Sequence, residues 1–388
     1  MTLHPVVGHD DLRRQLTRSL HSGGLPQALL LHGLRGVGKQ RLALWIGQSQ
    51  VCQAPRPDTG PCDECGPCRM VLNLEHPDVH WHFPLVRPKG VTGDRLGPAL
   101  ESARHDTLAE IRANPLRPSH SAEVRGIYFA IIQDLRRRAH VRPSMGSMQT
   151  FIIADAEFLV PQESSPEAAN ALLKLLEEPT AGTRFVLTSS EPGRLLPTIR
   201  SRTVPLHVSP LPLPTVQEFL ESRGGVPAEQ ARWVAGLSQG SPGRALGFLP
   251  VGDDPGPLEA IRREAFSLME AAISDAAADR YVRASAYTAT GGRGMIDLFG
   301  FLEEWLRDLA AAASGAHDHV LSRDMLPRLL QMVERSALEP SDIGESLSVL
   351  DATRAMARGN VNPQLVVFGL LDRLHRSLRP ARLVTSGV

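Results

Sequence analysis

Short apolar runs alternate with amphipathic stretches over residues 1–207, the pattern of an α/β domain built on a mostly parallel sheet. Ala28–His32 reads as a short buried strand, followed by a glycine-rich turn and a helix over Gln40–Val51. Thr150–Ala154 and Arg184–Thr188 read as two further inner strands. The helix between them has legible ends. Ser165 suits an N-cap, Pro166 suits the first helical position, and Pro179 is the stop. Ala169, Leu172, Leu173 and Leu176 fall at i, i+3, i+4, i+7 and make one apolar face. Pro84 to about His120 is rich in Pro, Gly and Arg, and reads as an inserted loop or mobile segment with a short helix around Pro98–Arg104. Pro210–Pro214 and Gly252–Gly256 read as linkers. They divide the chain into an α/β domain over 1–207, a small helical unit over 208–250, and an Ala/Leu/Arg-rich helical domain over 255–388, with no internal repeat.

At 388 residues the chain is long enough for two or three domains, each with its own core. Its 42 basic and 42 acidic residues cancel, which argues against a protein that binds DNA unaided, although a local basic face remains open. No apolar run approaches the roughly 18 residues of a membrane span, and Met1–Asp10 lacks the pattern of a signal peptide, so a cytoplasmic location is expected.

All four cysteines lie between Cys52 and Cys68. Disulfides are rare in a reducing cytosol, and Cys52-x9-Cys62-x2-Cys65-x2-Cys68 offers four thiolates that can close tetrahedrally on Zn²⁺, with Gly60, Pro61, Gly66 and Pro67 for the turns. An Fe–S cluster uses the same ligand type. With every position filled by protein, a zinc ion here is structural rather than catalytic.

Gly33-Leu34-Arg35-Gly36-Val37-Gly38-Lys39-Gln40 follows the P-loop pattern up to its last position. Gly33, Gly36 and Gly38 let backbone N–H groups face a phosphate, and Lys39 would reach the β- and γ-phosphates. The final position should carry a hydroxyl for Mg²⁺, and Gln40 stands there. The strand Phe151-Ile152-Ile153-Ala154-Asp155-Ala156-Glu157 shows the same erosion. In one register Ala154 takes the metal position and Asp155 the water-activating one; in the other Asp155 is the metal residue and Ala156 the gap. Either way one acid is missing, and solvated strand-end residues are the plain alternative for Asp155 and Glu157. Phosphate binding is therefore expected, and metal-assisted hydrolysis is not. Leu196-Pro197-Thr198-Ile199-Arg200-Ser201-Arg202-Thr203 says little by itself and reads plainly as a solvated helix end.

Taken together, these segments resemble the ATPase-like subunits of bacterial DNA polymerase III clamp loaders, an AAA+ family. The densest match is Asn170-Ala171-Leu172-Leu173-Lys174-Leu175-Leu176-Glu177-Glu178-Pro179, followed by Thr198-Ile199-Arg200-Ser201-Arg202 against a Ser-Arg-Cys motif. Val6-Val7-Gly8, the four-cysteine module, His76-Pro77-Asp78, Gly240-Ser241-Pro242-Gly243-Arg244-Ala245 and Asn360-Val361-Asn362-Pro363 add to it. The family's gamma/tau members hydrolyse ATP. Its delta-prime branch keeps the zinc module and the Ser-Arg arginine but loses the nucleotide chemistry. Gln40 and Ala154 together with Ser201-Arg202 resemble that branch, with Thr203 in place of Cys and with Lys39 retained, which keeps binding of ATP or ADP open.

The resemblance implies a fold of an AAA+ P-loop domain, a helical lid and an all-α collar. It implies Arg202 as an arginine finger acting in trans, Arg244 as the second-sensor residue, and Ser189 and Ser190 in the first-sensor region. It implies gamma/tau and delta subunits as partners, and contact with the sliding clamp and primer-template DNA through the complex. Leu365, Val366, Val367, Leu370 and Leu371 are candidates for collar contacts or for intradomain core.

Overall fold

The computed structural model describes residues 3, 5–116, 125–159, 167–287, 292–356 and 362–379. Ser165, Pro166, Asn360 and Val361, read above as helix-capping and family residues, lie outside that set. One compact unit runs to Leu246 and a second starts at Gly247.

In the first unit the order is α1 (Asp10–His21), β1 (Ala28–His32), α2 (Lys39–Val51), α3 (Gly66–Leu72), β2 (Val79–His82), β3 (Leu85–Val86), α4 (Leu96–Ala113), β4 (Arg125–Gly126), α5 (Phe129–Ala139), β5 (Gln149–Ile153), α6 (Glu167–Glu177), β6 (Thr183–Ser189), α7 (Pro197–Arg200), β7 (Val204–His207), α8 (Leu213–Gly224), α9 (Ala228–Leu237) and α10 (Pro242–Phe248), the last running across the division. Five strands form a parallel sheet in the order β2-β5-β6-β1-β7. The inner strands β5 and β6 are buried along their whole length, and Phe151 and Phe185 stack with ring centroids 5.6 Å apart in the core. Because all strands run the same way, the loops after β1, β5 and β6 emerge side by side at their carboxyl ends, where α/β folds bind ligands. The fold class is the expected α/β type, with a mostly parallel sheet and the glycine-rich loop between β1 and α2.

The inserted segment differs from the sequence reading. Leu96–Ala113 is one 18-residue helix, α4, rather than a loop with a single turn at Pro98–Arg104. The Pro and Gly residues that suggested a loop cluster before it, and Pro98 lies in the first turn, where its missing N–H costs nothing. Past that point Leu100 and Leu108 are buried. Glu101 accepts a hydrogen bond from Arg138 of α5 at 3.2 Å and from Arg104 at 2.7 Å. The short β3–β4 ladder closes the base of the insert.

At the outer edge of the sheet the buried Asp78 carboxylate accepts from the backbone N–H groups of Ser144, Met145 and Gly146 at 2.6–3.0 Å. His80 and His82 lie on the same strand. Burial holds the His82 imidazole down to about 3 and His80 to about 4, with Arg104 adding for the first and Arg138 for the second. In the unfolded chain both rings protonate near the ordinary value of about 6.5. The unfolded state therefore takes up more protons below about pH 6.5, and stability falls as pH drops toward 4. His82→Leu is expected to remove about 3 kcal/mol of that loss between pH 6.5 and 4, read from urea unfolding at both pH values. An unchanged acid limb would mean His82 is protonated in the fold.

The second unit is helical: α11 (Pro257–Ile273), α12 (Ala277–Ala286), α13 (Gly292–Ala313), α14 (Leu326–Ser336), α15 (Pro340–Met356) and α16 (Pro363–Leu378). Asn362 caps α16, its side chain accepting from the N–H groups of Gln364 and Leu365. The buried Arg262 pairs with Glu259 and Asp324, and its carbonyl accepts from the Trp305 indole. Val367, Leu370 and Leu371 are buried in the unit's own core, whereas Leu365 is 70% exposed. No helix among the described residues is long and apolar enough to cross a membrane.

Candidate functional site

The P-loop joins β1 to α2 and is held by groups from several elements. Gly33, Gly36 and Gly38 all take positive φ, as the tight turn requires. Lys39, only 4% exposed, donates to the carbonyls of Gly33 and Leu34 at 2.9 and 2.8 Å and to Ser190 Oγ at 3.0 Å. Ser241 Oγ donates to the carbonyl of Arg35, Gly243 N to that of Gly36 at 2.8 Å, and His9 Nε2 meets that of Val37 at 2.8 Å. Five successive loop carbonyls are thus engaged. The loop backbone also touches the first turn of α10 directly: a Cβ on Gly36 would lie 2.7 Å from the Arg244 nitrogen. Arg244 therefore stands where the first turn of α10 meets the glycine-rich loop. Burial draws the Lys39 ammonium down to about 8, against the pull of Asp155 and Glu157.

The P-loop's last residue meets the end of β5. Gln40 Nε2 donates to Asp155 Oδ2 at 3.1 Å. Ala154 is fully buried and its N–H goes to the His82 carbonyl, so Asp155, at φ 48°, is the residue that faces Gln40. Asp155 N in turn donates to Thr188 Oγ1 at 3.0 Å. Where a P-loop enzyme places a hydroxyl and a carboxylate around Mg²⁺, this chain joins an amide to a carboxylate.

Sequence reading missed the burial of Glu157. It is 4% exposed, not a solvated strand-end residue; its Oε1 accepts from Ser190 N at 3.1 Å and its Oε2 is buried. Burial, then the Asp155 charge, raises its pKa. Its position two residues after Asp155 was the available signal. Ser190 thus joins Lys39 to Glu157, while the buried Ser189 accepts a hydrogen bond at its Oγ from Glu191 N at 3.1 Å.

The four cysteines converge. Their sulfurs all lie within 4.8 Å of one another, and Cys62 and Cys68 Sγ are 3.9 Å apart. A tetrahedral site with Zn–S of about 2.3 Å has S···S edges near 3.8 Å, so the donor set fits zinc. Cys62 N donates to Cys52 Sγ and Cys65 N to Cys62 Sγ, both at 3.3 Å, bonds that favour thiolate. Backbone N–H groups of Cys65 and Glu64 draw the Cys62 thiol down to about 6. The module is seated on α2: a Cβ at Gly60 would lie 2.3 Å from the Trp45 ring.

Arg202 lies far from the P-loop and the cysteines in sequence. It follows α7, its side chain is 35% exposed, and Nη2 pairs with Glu177 Oε1 at 2.7 Å. Nη1 donates to the Thr198 carbonyl at 3.0 Å.

A profile of the family described as DNA polymerase III, delta subunit, matches residues 8–212, more than half the chain. DNA polymerase III subunit delta' of Pseudomonas aeruginosa is 31% identical over 55% of this chain and 53% of its own length. The delta' subunit of Escherichia coli is 27% identical over 60% of this chain and 57% of its own. The gamma/tau subunit of Mycobacterium tuberculosis (strain H37Rv) is 27% identical over 55% of this chain and 30% of its own. A crystal structure of a DNA polymerase III gamma subunit-related protein from Thermotoga maritima aligns over 94% of this chain and 98% of that one, with 16% identity and a TM-score of 0.37. The chain spans about half the length of the delta' relatives it matches. A strand–P-loop–helix unit with an amide in place of the metal-binding hydroxyl, a four-cysteine module and a profile match over 8–212 converge, and the chain belongs to the DNA polymerase III delta subunit family.

Proposed function

We propose that this chain is a delta-prime type clamp-loader subunit that does not turn over ATP itself but supplies Arg202 in trans to a neighbouring subunit that does. The observation that carries the reading is the Gln40–Asp155 hydrogen bond. Hydrolysis needs Mg²⁺ between the phosphates and an oxygen ligand set at this point, and the amide group fills it while satisfying the carboxylate. All three donors of the Lys39 ammonium are likewise engaged within the chain. Residues 1–207 serve as the AAA+ domain, 208–250 as its lid and 255–388 as the collar, with the exposed Leu365 as one contact of that collar. Partners are the gamma/tau and delta subunits, with the sliding clamp and primer-template DNA reached through the assembled complex in the cytoplasm. The four cysteines hold a structural Zn²⁺, and ATP or ADP, if bound, stays intact.

A gamma-type active ATPase is the second reading, favoured by the retained Lys39 and by Glu157 turned inward beside it. ATP turnover by the purified chain with Mg²⁺ and primed DNA separates the two. The expected result is phosphate release at the no-protein background. Release that disappears in Lys39→Ala would reverse the assignment.

A further inference from the structure

The Arg202 guanidinium does not stand free. It is folded onto Glu177 at 2.7 Å, onto the Thr198 carbonyl at 3.0 Å and onto Ser201 Oγ at 3.4 Å. Its backbone, by contrast, is fixed between two buried anchors. Ile199 is fully buried, and the buried Thr203 donates its hydroxyl to the Ile199 carbonyl at 3.1 Å. Arg202 N donates to the same carbonyl at 3.1 Å. Only side-chain torsions are left to move the guanidinium.

The partner is also placed in an unusual way. Glu177 is the last residue of α6, and Glu178 follows it. Acidic groups at a helix C-terminus face the negative end of the helix dipole, so this carboxylate is electrostatically out of place unless a cation covers it. The pair is half-open to solvent, with side-chain exposures of 35% and 44%, so it holds Arg202 weakly. A polyphosphate offers the guanidinium a stronger, bidentate set of oxygens than one solvated carboxylate does.

We propose that Glu177 is a latch: it parks the Arg202 guanidinium on its own subunit, and a nucleoside triphosphate bound by the neighbouring subunit draws it off by side-chain rotation alone. This rests on the reading of Arg202 as a finger in trans. Glu177 is a positioning residue and touches no nucleotide. Because the latch competes with nucleotide for the same guanidinium, its effect falls on the ATP concentration needed for half-maximal turnover. At saturating ATP the arginine is already transferred.

The test is steady-state ATP hydrolysis by the reconstituted complex of this chain with its ATPase subunits, clamp and primed DNA. Glu177→Gln is expected to lower KM about 2- to 5-fold at about 0.05 M salt with kcat unchanged, the size of an exposed ion pair. The gain should fade toward about 1 M salt, where screening is short-ranged. Glu178→Gln, which removes a neighbouring charge without touching the pair, should leave KM unchanged. Thermal unfolding of Glu177→Gln should be no earlier than that of the parent chain. If Arg202→Ala leaves the complex rate intact, the finger reading fails. If Arg202→Ala slows the complex while Glu177→Gln leaves KM unchanged or raises it, the latch alone fails. An equal gain in Glu178→Gln would reduce it to a general charge effect and overturn it.

Discussion

Replacing Arg202 by Ala should slow ATP hydrolysis at the site it serves by about 10³-fold or more, and so lower the total rate of the reconstituted complex, while leaving the isolated chain folded. Phosphoryl transfer spreads charge over the equatorial oxygens of the transferred group, and a guanidinium placed there from outside the binding subunit stabilises it. Arg202→Lys should recover little of the rate, since an ammonium cannot present the planar pair of donors. The fold should tolerate both changes. The side chain is 35% exposed and, among the described residues, its ion pair is with the exposed Glu177. Such pairs contribute no more than about 1 kcal/mol. The anchors of the turn, Ile199 and Thr203, are untouched. Rates measured with primed DNA present, beside a thermal melt of each variant, check both halves. A complex rate unchanged in Arg202→Ala would remove Arg202 from the mechanism.

Cys68→Ser should release the metal and destabilise the first unit by on the order of 3–5 kcal/mol. Metal analysis of the purified parent chain should give about one zinc per chain. Cys68 is fully buried, so its replacement leaves three sulfurs and a hydroxyl in a site whose closure orders residues 52–68. Free zinc fingers gain about 10–16 kcal/mol from their metal. The smaller figure applies here because Gly60 seats the module on Trp45 and Gln48 donates to Asp63 at 2.8 Å, contacts that persist without metal. Loss should be felt first at the C-terminal end of α2, since Cys52 directly follows Val51. Urea unfolding with and without a chelator gives the size of the effect. A chain that purifies metal-free at full stability would contradict the zinc assignment.

Much of this protein is written in short stretches of its sequence. β1 occupies the residues read as a strand, and α2 begins one residue earlier than expected. β5 and β6 fall within a residue of their expected bounds, because a buried strand between turn signals is a local pattern. The cysteine cluster was legible from spacing alone, since tetrahedral closure by near neighbours depends on few distant contacts. Composition misled at the insert: Pro and Gly before Leu96 masked the periodicity that makes α4 a helix. Periodicity also could not say which apolar residues of α16 face inward, because it fixes a face and not what covers it. Leu365 and Val367 are two residues apart, one exposed and one buried.

What only the tertiary structure decided are contacts between residues far apart in the chain. Gln40 meets Asp155 across 115 positions, and Ser241 meets the P-loop across 206. The motif supplied the residue types on each side, but their pairing depends on how parallel strands line up their carboxyl ends and on where α10 docks. The same holds for the burial of Glu157 and for the Glu177–Arg202 pair, whose members are brought together by the packing of α6 against α7. Local sequence sets backbone preference and amphipathic face. Burial and hydrogen-bond partners of a polar side chain are set by the elements that close over it.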